Sequence, residues 1–378
     1  MRIHIFNPEH DIALASGLSN FTAPHAGRQL RHDLGFLPAV WAEPGDAVMV
    51  DDVEYAERAW RELTHRLNTL RGNDCLPKTN GLFVPSKQTI SSEETPSVEP
   101  WGWNSALRAV LLRRGLDENL MPTLPQLQTI RELSHRRTAA ELLPKLHMEG
   151  TVGEAFECQT AEEVDALIGK YGEVVLKAPW SSSGRGLRFY SIHHSALGLK
   201  ALPSQEPTIL NWLRNILATQ GSIMVEPFYD KVKDFGMEFH SDGKGHVSYL
   251  GLSLFHTSNG AYTGNILATE AAKQEMISRY VSLDLINDIQ AKICRELGTT
   301  FKDKYRGPFG VDMMVVKSPF TLHPCVEINL RRTMGHVALA LAPHDDDIRL
   351  VMRIEYANTR PTSAASTSKN YKLTINRL

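Results

Sequence analysis

Short apolar runs and amphipathic stretches alternate along the first third of the chain. RIHIF, residues 2–6, ends in Asn-Pro and predicts a first strand closed by a turn. A polar helical stretch follows around 27–34, and AVMVDD, 47–52, predicts a second buried strand. VEYAERAWRELTHRLNTLR, 53–71, has helical spacing and mixed charge, and GLFVP predicts another strand. This alternation predicts a small open α/β domain over residues 1–122. Within it, SKQTISSEETPSVEP at 86–100 is polar enough to be a surface loop. PWGWN leads into an apolar-periodic helix capped by Asn104 or Ser105, and Pro122 and Pro125 mark the domain's end.

From Gln126 the rhythm changes. One helix is predicted over about 126–147, then a strand-like TVGEAFECQ and a short helix with Thr160 and Glu163 in capping-box spacing, stopped by Gly172. VVLKAP, a Ser/Gly turn and LRFYSI form a β-hairpin, followed by an amphipathic helix at 207–220. GSIMVEPFYD opens a further lobe, with VSYLGLSLF as a strand, 268–298 mostly helical, and VDMMVV pairing with HPCVEINL. No internal repeat is visible, and the tail, PTSAASTSKNYKLTINRL, ends in a strand. The expected fold class is α/β (α+β), divided at 1–122, 123–224 and 225–378.

Bulk composition narrows the function classes. The 378 residues carry a formal net charge of −2 with no basic run, so a nucleic-acid partner is not expected. Glu9, His10 and Asp11 stand where a signal peptide needs its apolar stretch, and no run is long enough to span a membrane. Cys75, Cys158, Cys294 and Cys325 lie far apart without CxxC spacing, which reads as reduced thiols in a cytoplasmic protein.

Candidate chemistry centres on two segments. In VVLKAPWSSSGRGLRF, 174–189, Lys177 precedes the glycine-rich turn, whereas a P-loop places Lys-Ser/Thr at the loop's end before a helix. The unit is therefore a hairpin with a flap: Ser181, Ser182 and Ser183 offer hydroxyls, Gly184 and Gly186 let backbone N–H groups approach an anion, and Lys177 adds fixed charge. A mobile surface turn is the competing reading of this segment. The second segment is VEINLRR, where Glu327, Asn329 and Arg331 share one strand face while Val326 and Ile328 turn to the core. Asp312, on the preceding strand, can face the same site. Two carboxylates and an amide oxygen are hard ligands suited to Mg²⁺ bridging nucleotide phosphates, and Arg331 is a charge clamp.

Taken in order, these motifs resemble the ATP-grasp superfamily over about Gln126 to Ala340, with spacing similar to its biotin-carboxylase-like branch. The resemblance implies two α+β lobes with ATP between them, preceded by a Rossmann-like pre-ATP-grasp domain. It implies ATP and Mg²⁺, with Mn²⁺ as an alternative ion, as cofactors. Lys177 resembles the strand lysine on the phosphates, and Ser181–Gly186 the flap above them. Arg136 stands where the family sends a second lysine, with His135 in place of an aspartate; an exposed helix cation is the competing reading. MVEPFYD resembles the adenine hinge, with Glu226 at the base edge and the Pro227 carbonyl and Tyr229 N–H on its polar edge. Asp234 falls at the ribose; Asp312, Glu327 and Asn329 match the metal ligands, and Arg331 the arginine beside the reactive intermediate.

The departures sharpen the expectation. The base of a biotin carboxylase is replaced by Gly335, which argues against that reaction. His256, Tyr262 and Asn265 bunch in LFHTSNGAYTGN and are candidates to border the acceptor, with a satisfied turn as the alternative. The expected activity is a carboxylate–amine ligase acting through an acyl phosphate on small-molecule carboxylate and amine substrates, with a homodimer as a compatible assembly. A small-molecule kinase and a non-catalytic nucleotide-binding regulator are the alternatives. FNPEHD matches no assignable motif, but its Asn7, Glu9, His10 and Asp11 follow the first strand, where open α/β sheets place ligand contacts, and Trp101, Trp103 and Asn104 are candidates for a second wall, with local packing as the alternative.

Overall fold

The computed structural model describes residues 1–72, 82–85, 96–181, 186–192, 207–258, 261–317, 319–359 and 368–378. Three sheets organise them. The first contains β1 (Arg2–Ile5), β2 (Ala47–Val50), β3 (Leu82–Pro85) and β4 (Ser97–Pro100) in the order β3-β2-β1-β4. All three pairings are parallel. Between β1 and β4 the strand order reverses, the place where open α/β sheets form a crevice beyond their carboxyl ends. β4 lies inside the stretch expected to be a surface loop. It becomes a strand because Val98 and Pro100 are buried beside β1, a tertiary gain that the polar composition concealed.

A second sheet holds β5 (Phe156–Cys158), β6 (Glu173–Lys177), β7 (Leu187–Ser191) and β8 (Ile223–Pro227), in the order β5-β8-β6-β7 with every pair antiparallel. Helices Ala161–Tyr171 and Pro207–Gln220 cover it, burying Val164, Ile168, Leu213 and Ile216 against Val174, Leu176 and Val225. The first helix starts with the expected capping box: Thr160 Oγ1 accepts the Glu163 N–H at 3.2 Å. β8 stays in this sheet as far as Pro227, so IMVEP belongs to the small sheet rather than opening the further lobe, and the chain leaves it within the hinge sequence.

The third sheet comprises β9 (Lys231–Ser241), β10 (Val247–Ser258), β11 (Ala261–Leu267), β12 (Gly307–Val316), β13 (Thr321–Asn329), β14 (Leu350–Thr359) and β15 (Ser368–Arg377). Their order is β13-β12-β9-β10-β11-β14-β15, antiparallel throughout. Helix Leu283–Phe301 lays Ile286, Ile289, Ile293 and Leu297 on one face, where they join Phe235, Phe239 and Phe309 in the largest core. β14 and β15 attach the first domain: Met352, Leu373 and Ile375 share a core with Leu34, Leu63 and Leu67.

The helix expected over 126–147 is two helices, Leu124–Leu133 and Arg137–Leu146. Ser134 donates its hydroxyl to the Ile130 carbonyl at 2.7 Å, and His135 Nδ1 accepts the Arg137 N–H at 3.0 Å. The Ser134 N–H keeps the Ile130 carbonyl at 2.9 Å, but the next steps leave the ladder, the Arg136 N–H for the Pro179 carbonyl at 3.3 Å and the Arg137 N–H for the His135 ring, which leaves Arg136 in the gap. Both helices pack Leu127, Ile130, Leu142, Leu143 and Leu146 into the core of the large sheet.

Candidate active site

The strand period and the pairing of β12 with β13 create the site. Asp312 lies opposite Glu327 and Gly310 opposite Asn329 in that antiparallel register. Glu327, Asn329 and Arg331 follow at two-residue spacing and, with Asp312, line a cavity of about 290 Å³. Asn329 donates its Nδ2 to Asp312 Oδ2 at 3.1 Å, and its Oδ1 accepts from Arg331 Nη2 at 2.9 Å. Ile328 points the other way, into the core. Burial pushes the Asp312 carboxyl up to about 8, reinforced by the neighbouring charges of Glu327 and Glu238, with Arg331 opposing. Carboxylates so crowded hold too little positive charge, and a divalent cation fits that deficit. Among the described residues no group of three or more His, Cys, Asp or Glu is arranged to hold a metal. Two carboxylates and one amide suit an ion that takes its other ligands from phosphate and water.

Each candidate phosphate-binding cation is held by a carboxylate. Lys177, at the end of β6, places Nζ 2.5 Å from Glu226 Oε2 on β8, with both side chains buried. Arg136 Nη1 is 2.8 Å from Glu327 Oε2. The same guanidinium donates through Nε to the Ala178 carbonyl at 3.0 Å and through Nη2 to Ser181 Oγ at 3.2 Å. One side chain thus ties the loop after Lys177 to the strand bearing Glu327. Arg331 donates Nε and Nη2 to the two carboxylate oxygens of Asp11, at 2.8 and 2.7 Å. Burial disfavours both charges, but the pairing outweighs it, holding the Asp11 carboxyl below its usual range and the Arg331 guanidinium above its own.

FNPEHD and PWGWN, unassigned by motif, interlock at the C-terminal end of β1. Asn7 Nδ2 donates to the Gly102 carbonyl at 2.9 Å, and the Gly102 N–H returns to Asn7 Oδ1 at 3.3 Å. Asn104 caps helix Ser105–Arg113 through Oδ1, and its Nδ2 lies 3.1 Å from His10 Nδ1. Burial, aided by Arg331, lowers the His10 imidazole to about 4 despite the opposing Asp11 charge. Glu9 pairs with Arg31 at 2.6 Å. Trp101, set edge-on to Phe6 at 4.9 Å, walls the cavity, while Trp103 packs against the cores.

Of the remaining candidates, Ser182, Ser183 and Gly184 lie outside the described residues. Gly186 is buried at the base of the turn, where a Cβ would stand 2.4 Å from Ser181. Pro227 is buried, and Tyr229 sets its ring edge-on to His323 at 5.5 Å, its phenol pushed up to about 12 by burial and by Glu154. Asp234 Oδ2 accepts from Lys231 Nζ at 2.6 Å and from Thr257 Oγ1 at 2.5 Å. Tyr262 and Asn265 border the cavity, joined by a 2.5 Å hydrogen bond from the phenol to Asn265 Oδ1. His256 instead takes its place in the β10–β11 pairing opposite Gly264.

Two groups, His323 and Glu238, escaped the sequence, which for Asp11 showed the position but not the partner. Asp11 had no visible partner because Arg331 lies 320 positions away. His323 is fully buried on β13 with neither ring nitrogen bonded, and burial, with Lys177 nearby, lowers it to about 3. Glu238 is an isolated acid between Met237 and Phe239, on the side of β9 that faces the cavity. A lone charge within an apolar alternation was the available signal.

Comparison with known proteins gives remote likeness only. No family model matches the chain, and no curated protein does. Similar solved structures include N5-carboxyaminoimidazole synthetase from Staphylococcus aureus, over 93% of this chain and 82% of that one, at 13% identity and a TM-score of 0.46. Biotin carboxylase from Campylobacter jejuni, solved as a β,γ-ATP complex, matches over 70% of this chain and 60% of its own, at 14% and 0.46. An ATP-grasp superfamily protein from Archaeoglobus fulgidus matches over 79% and 82%, at 14% and 0.40. The solved structures that this α/β chain resembles are ATP-grasp proteins, at a distance that specifies no reaction for it.

Proposed function

We propose that the cavity is the active site of an ATP- and Mg²⁺-dependent ligase that activates a substrate carboxylate as an acyl phosphate and joins it to an amine. The reading rests chiefly on Arg136, which bridges the loop after Lys177 and Glu327 of the Asp312–Glu327–Asn329–Arg331 set. A lysine strand and a metal-type strand brought to one cleft suit a nucleotide triphosphate held between the small and large sheets.

In this reading Lys177 and Arg136 exchange their carboxylate partners for ATP phosphates, and Ser181–Gly186 close over them. Glu226, the Pro227 carbonyl and the Tyr229 N–H hold the adenine, and Asp234 the ribose. Asp312, Glu327 and Asn329 would hold Mg²⁺, which neutralises phosphate charge when bound. A carboxylate oxygen of the substrate attacks the γ-phosphorus and ADP leaves. The amine nitrogen then attacks the acyl carbon, the C–O bond to phosphate breaks, inorganic phosphate leaves and the nitrogen gives up a proton. Arg331, fixed by Asp11, neutralises the transferring phosphoryl group and the departing phosphate. Water is excluded by Trp101 and Phe6 of the first domain.

The test is isotopic. With an ¹⁸O-labelled carboxylate substrate, the inorganic phosphate formed carries one ¹⁸O. Phosphate retained on the organic product would point instead to a kinase.

A further inference from the structure

Glu238 is buried at 3% exposure on β9, opposite Gly310 of β12, and its carboxylate lines the cavity beyond Asp312. Two glycines make the room it occupies. A Cβ on Gly335 would stand 1.8 Å from Glu238 Oε1, and one on Gly310 would stand 2.7 Å from Oε2. A smaller wall residue at either position is impossible, so the sequence keeps this pocket open at its limit.

One oxygen of this carboxylate has no donor. Oε2 is buried without a hydrogen-bond partner. The nitrogen nearest to it is His336 Nδ1, 2.9 Å away, but that nitrogen already takes the Thr333 N–H at 3.1 Å. His336 Nε2 lies 3.4 Å from the Phe239 carbonyl. Oε2 is left without a hydrogen bond, and a buried carboxylate oxygen without a donor carries a large desolvation cost. Lys273, whose charge is close enough to feel Glu238, is spent on Glu270 at 2.9 Å and the Leu252 carbonyl at 2.6 Å.

The surrounding groups continue the same polarity. Asn265 Nδ2 donates to Ser253 Oγ at 2.8 Å, and Asn265 Oδ1 is taken by the Tyr262 phenol. The lining of the space is acceptor-rich: the Glu238 carboxylate, the Tyr262 phenol and the Ser253 hydroxyl, with Phe255 as an apolar wall. A group with three N–H donors and a positive charge on a short apolar stem complements it.

We propose that Glu238 binds the ammonium head of the acceptor, a small primary amine entering beside Phe255 and Tyr262, and takes one of its protons so that the nitrogen lone pair can attack the acyl carbon. This assignment rests on the ligase reading for the identity of the acceptor, while the cation pocket itself rests on the geometry of Glu238.

Two measurements separate the two ideas. First, methylammonium chloride is compared with tetramethylammonium chloride at matched ionic strength in thermal unfolding. Methylammonium raises the Tm of the wild-type protein above the tetramethylammonium control, and the isosteric Glu238→Gln variant loses that difference. An equal difference in both proteins, or none in the wild type, overturns the pocket. A shift produced by Mg²⁺ alone and lost in Glu238→Gln makes Glu238 a metal ligand and also overturns it. Second, with a carboxylate that yields hydroxamate in the presence of ATP and hydroxylamine, kcat/KM is compared for primary amines and for the uncharged hydroxylamine. Glu238→Gln lowers the value for primary amines about ten-fold more than that for hydroxylamine, and Glu238→Asp recovers part of the difference. Equal losses on both nucleophiles overturn the assignment. If the wild type makes no hydroxamate from any carboxylate, the ligase reading falls and the methylammonium result alone decides the pocket.

Discussion

Arg331 and Asp11 meet as a two-pronged pair, at 2.8 and 2.7 Å, although one lies in the bend just past the end of β13 and the other in the domain that opens the chain. The guanidinium is also held by Asn329 Oδ1 and by the Arg332 carbonyl. Its plane is therefore fixed toward the cavity. Removing Asp11 leaves a largely buried cation without its counter-charge.

Asp11→Ala is accordingly expected to cost about 3 kcal/mol of stability, read by urea unfolding. Combined with Arg331→Ala the two losses are far from additive, because one interaction is removed twice. Arg331→Lys keeps the charge but not the fork, and turnover falls roughly 10²-fold. Additive stability losses would mean that the domains are held together elsewhere.

Lys177 and Glu226 separate structure from function. Lys177→Ala strands the Glu226 carboxylate in the interior, with a stability loss of about 3 kcal/mol. Lys177→Met with Glu226→Leu removes both charges and restores much of that stability. Neither protein is stabilised by ATP and Mg²⁺ in thermal unfolding, whereas the wild type is. An ATP-dependent shift in the double variant would remove Lys177 from the phosphate site.

Gly102 has no space to grow. A Cβ there would stand 2.7 Å from the His10 ring, and the ring is fixed by Asn104. Gly102→Ala should cost about 1–3 kcal/mol by overpacking, measured by thermal unfolding. The larger effect is expected on turnover, since the same displacement moves Asp11 and with it Arg331.

Acid should withdraw the stability that three buried histidines contribute, while the raised Asp312 carboxyl acts in the opposite direction. His10, His135 and His323 are buried and neutral, lowered to about 4, 3 and 3, chiefly by burial. The unfolded chain takes up these protons near pH 6.5, but the folded chain resists to about pH 4 or below. Their contribution is thus complete above about pH 6.5 and is lost as the pH falls toward 4, on the order of 3 kcal/mol for His10 alone. His10→Gln, less stable at pH 7, should lose less than wild type between pH 7 and 4.5. Equal losses would place the acid sensitivity elsewhere.

Much of this arrangement was legible in residue pattern. Strand period alone put Glu327 and Asn329 on one face, and the register of β12 with β13 brought Asp312 opposite Glu327. The Thr160 and Asn104 caps were equally local and equally readable. What escaped depends on contacts distant in sequence. β4 is a strand because β1 pairs with it, and Asp11 has a function because Arg331 reaches it. The break at Ser134–Arg136 is set by a serine hydroxyl and an imidazole competing with the helix ladder, against an apolar period that continues across it. Glu238 matters because two glycines on other elements leave room for it.

The central claim is that this cleft makes an acyl phosphate. A panel of small carboxylates incubated with ATP, Mg²⁺ and hydroxylamine tests it most directly, through the colour of the hydroxamate with ferric ion. At least one carboxylate should give ATP-dependent hydroxamate and equimolar ADP, both abolished by Lys177→Ala. ADP formed without hydroxamate, the phosphate remaining on the product, would contradict it, as would ATP binding with no turnover across the panel.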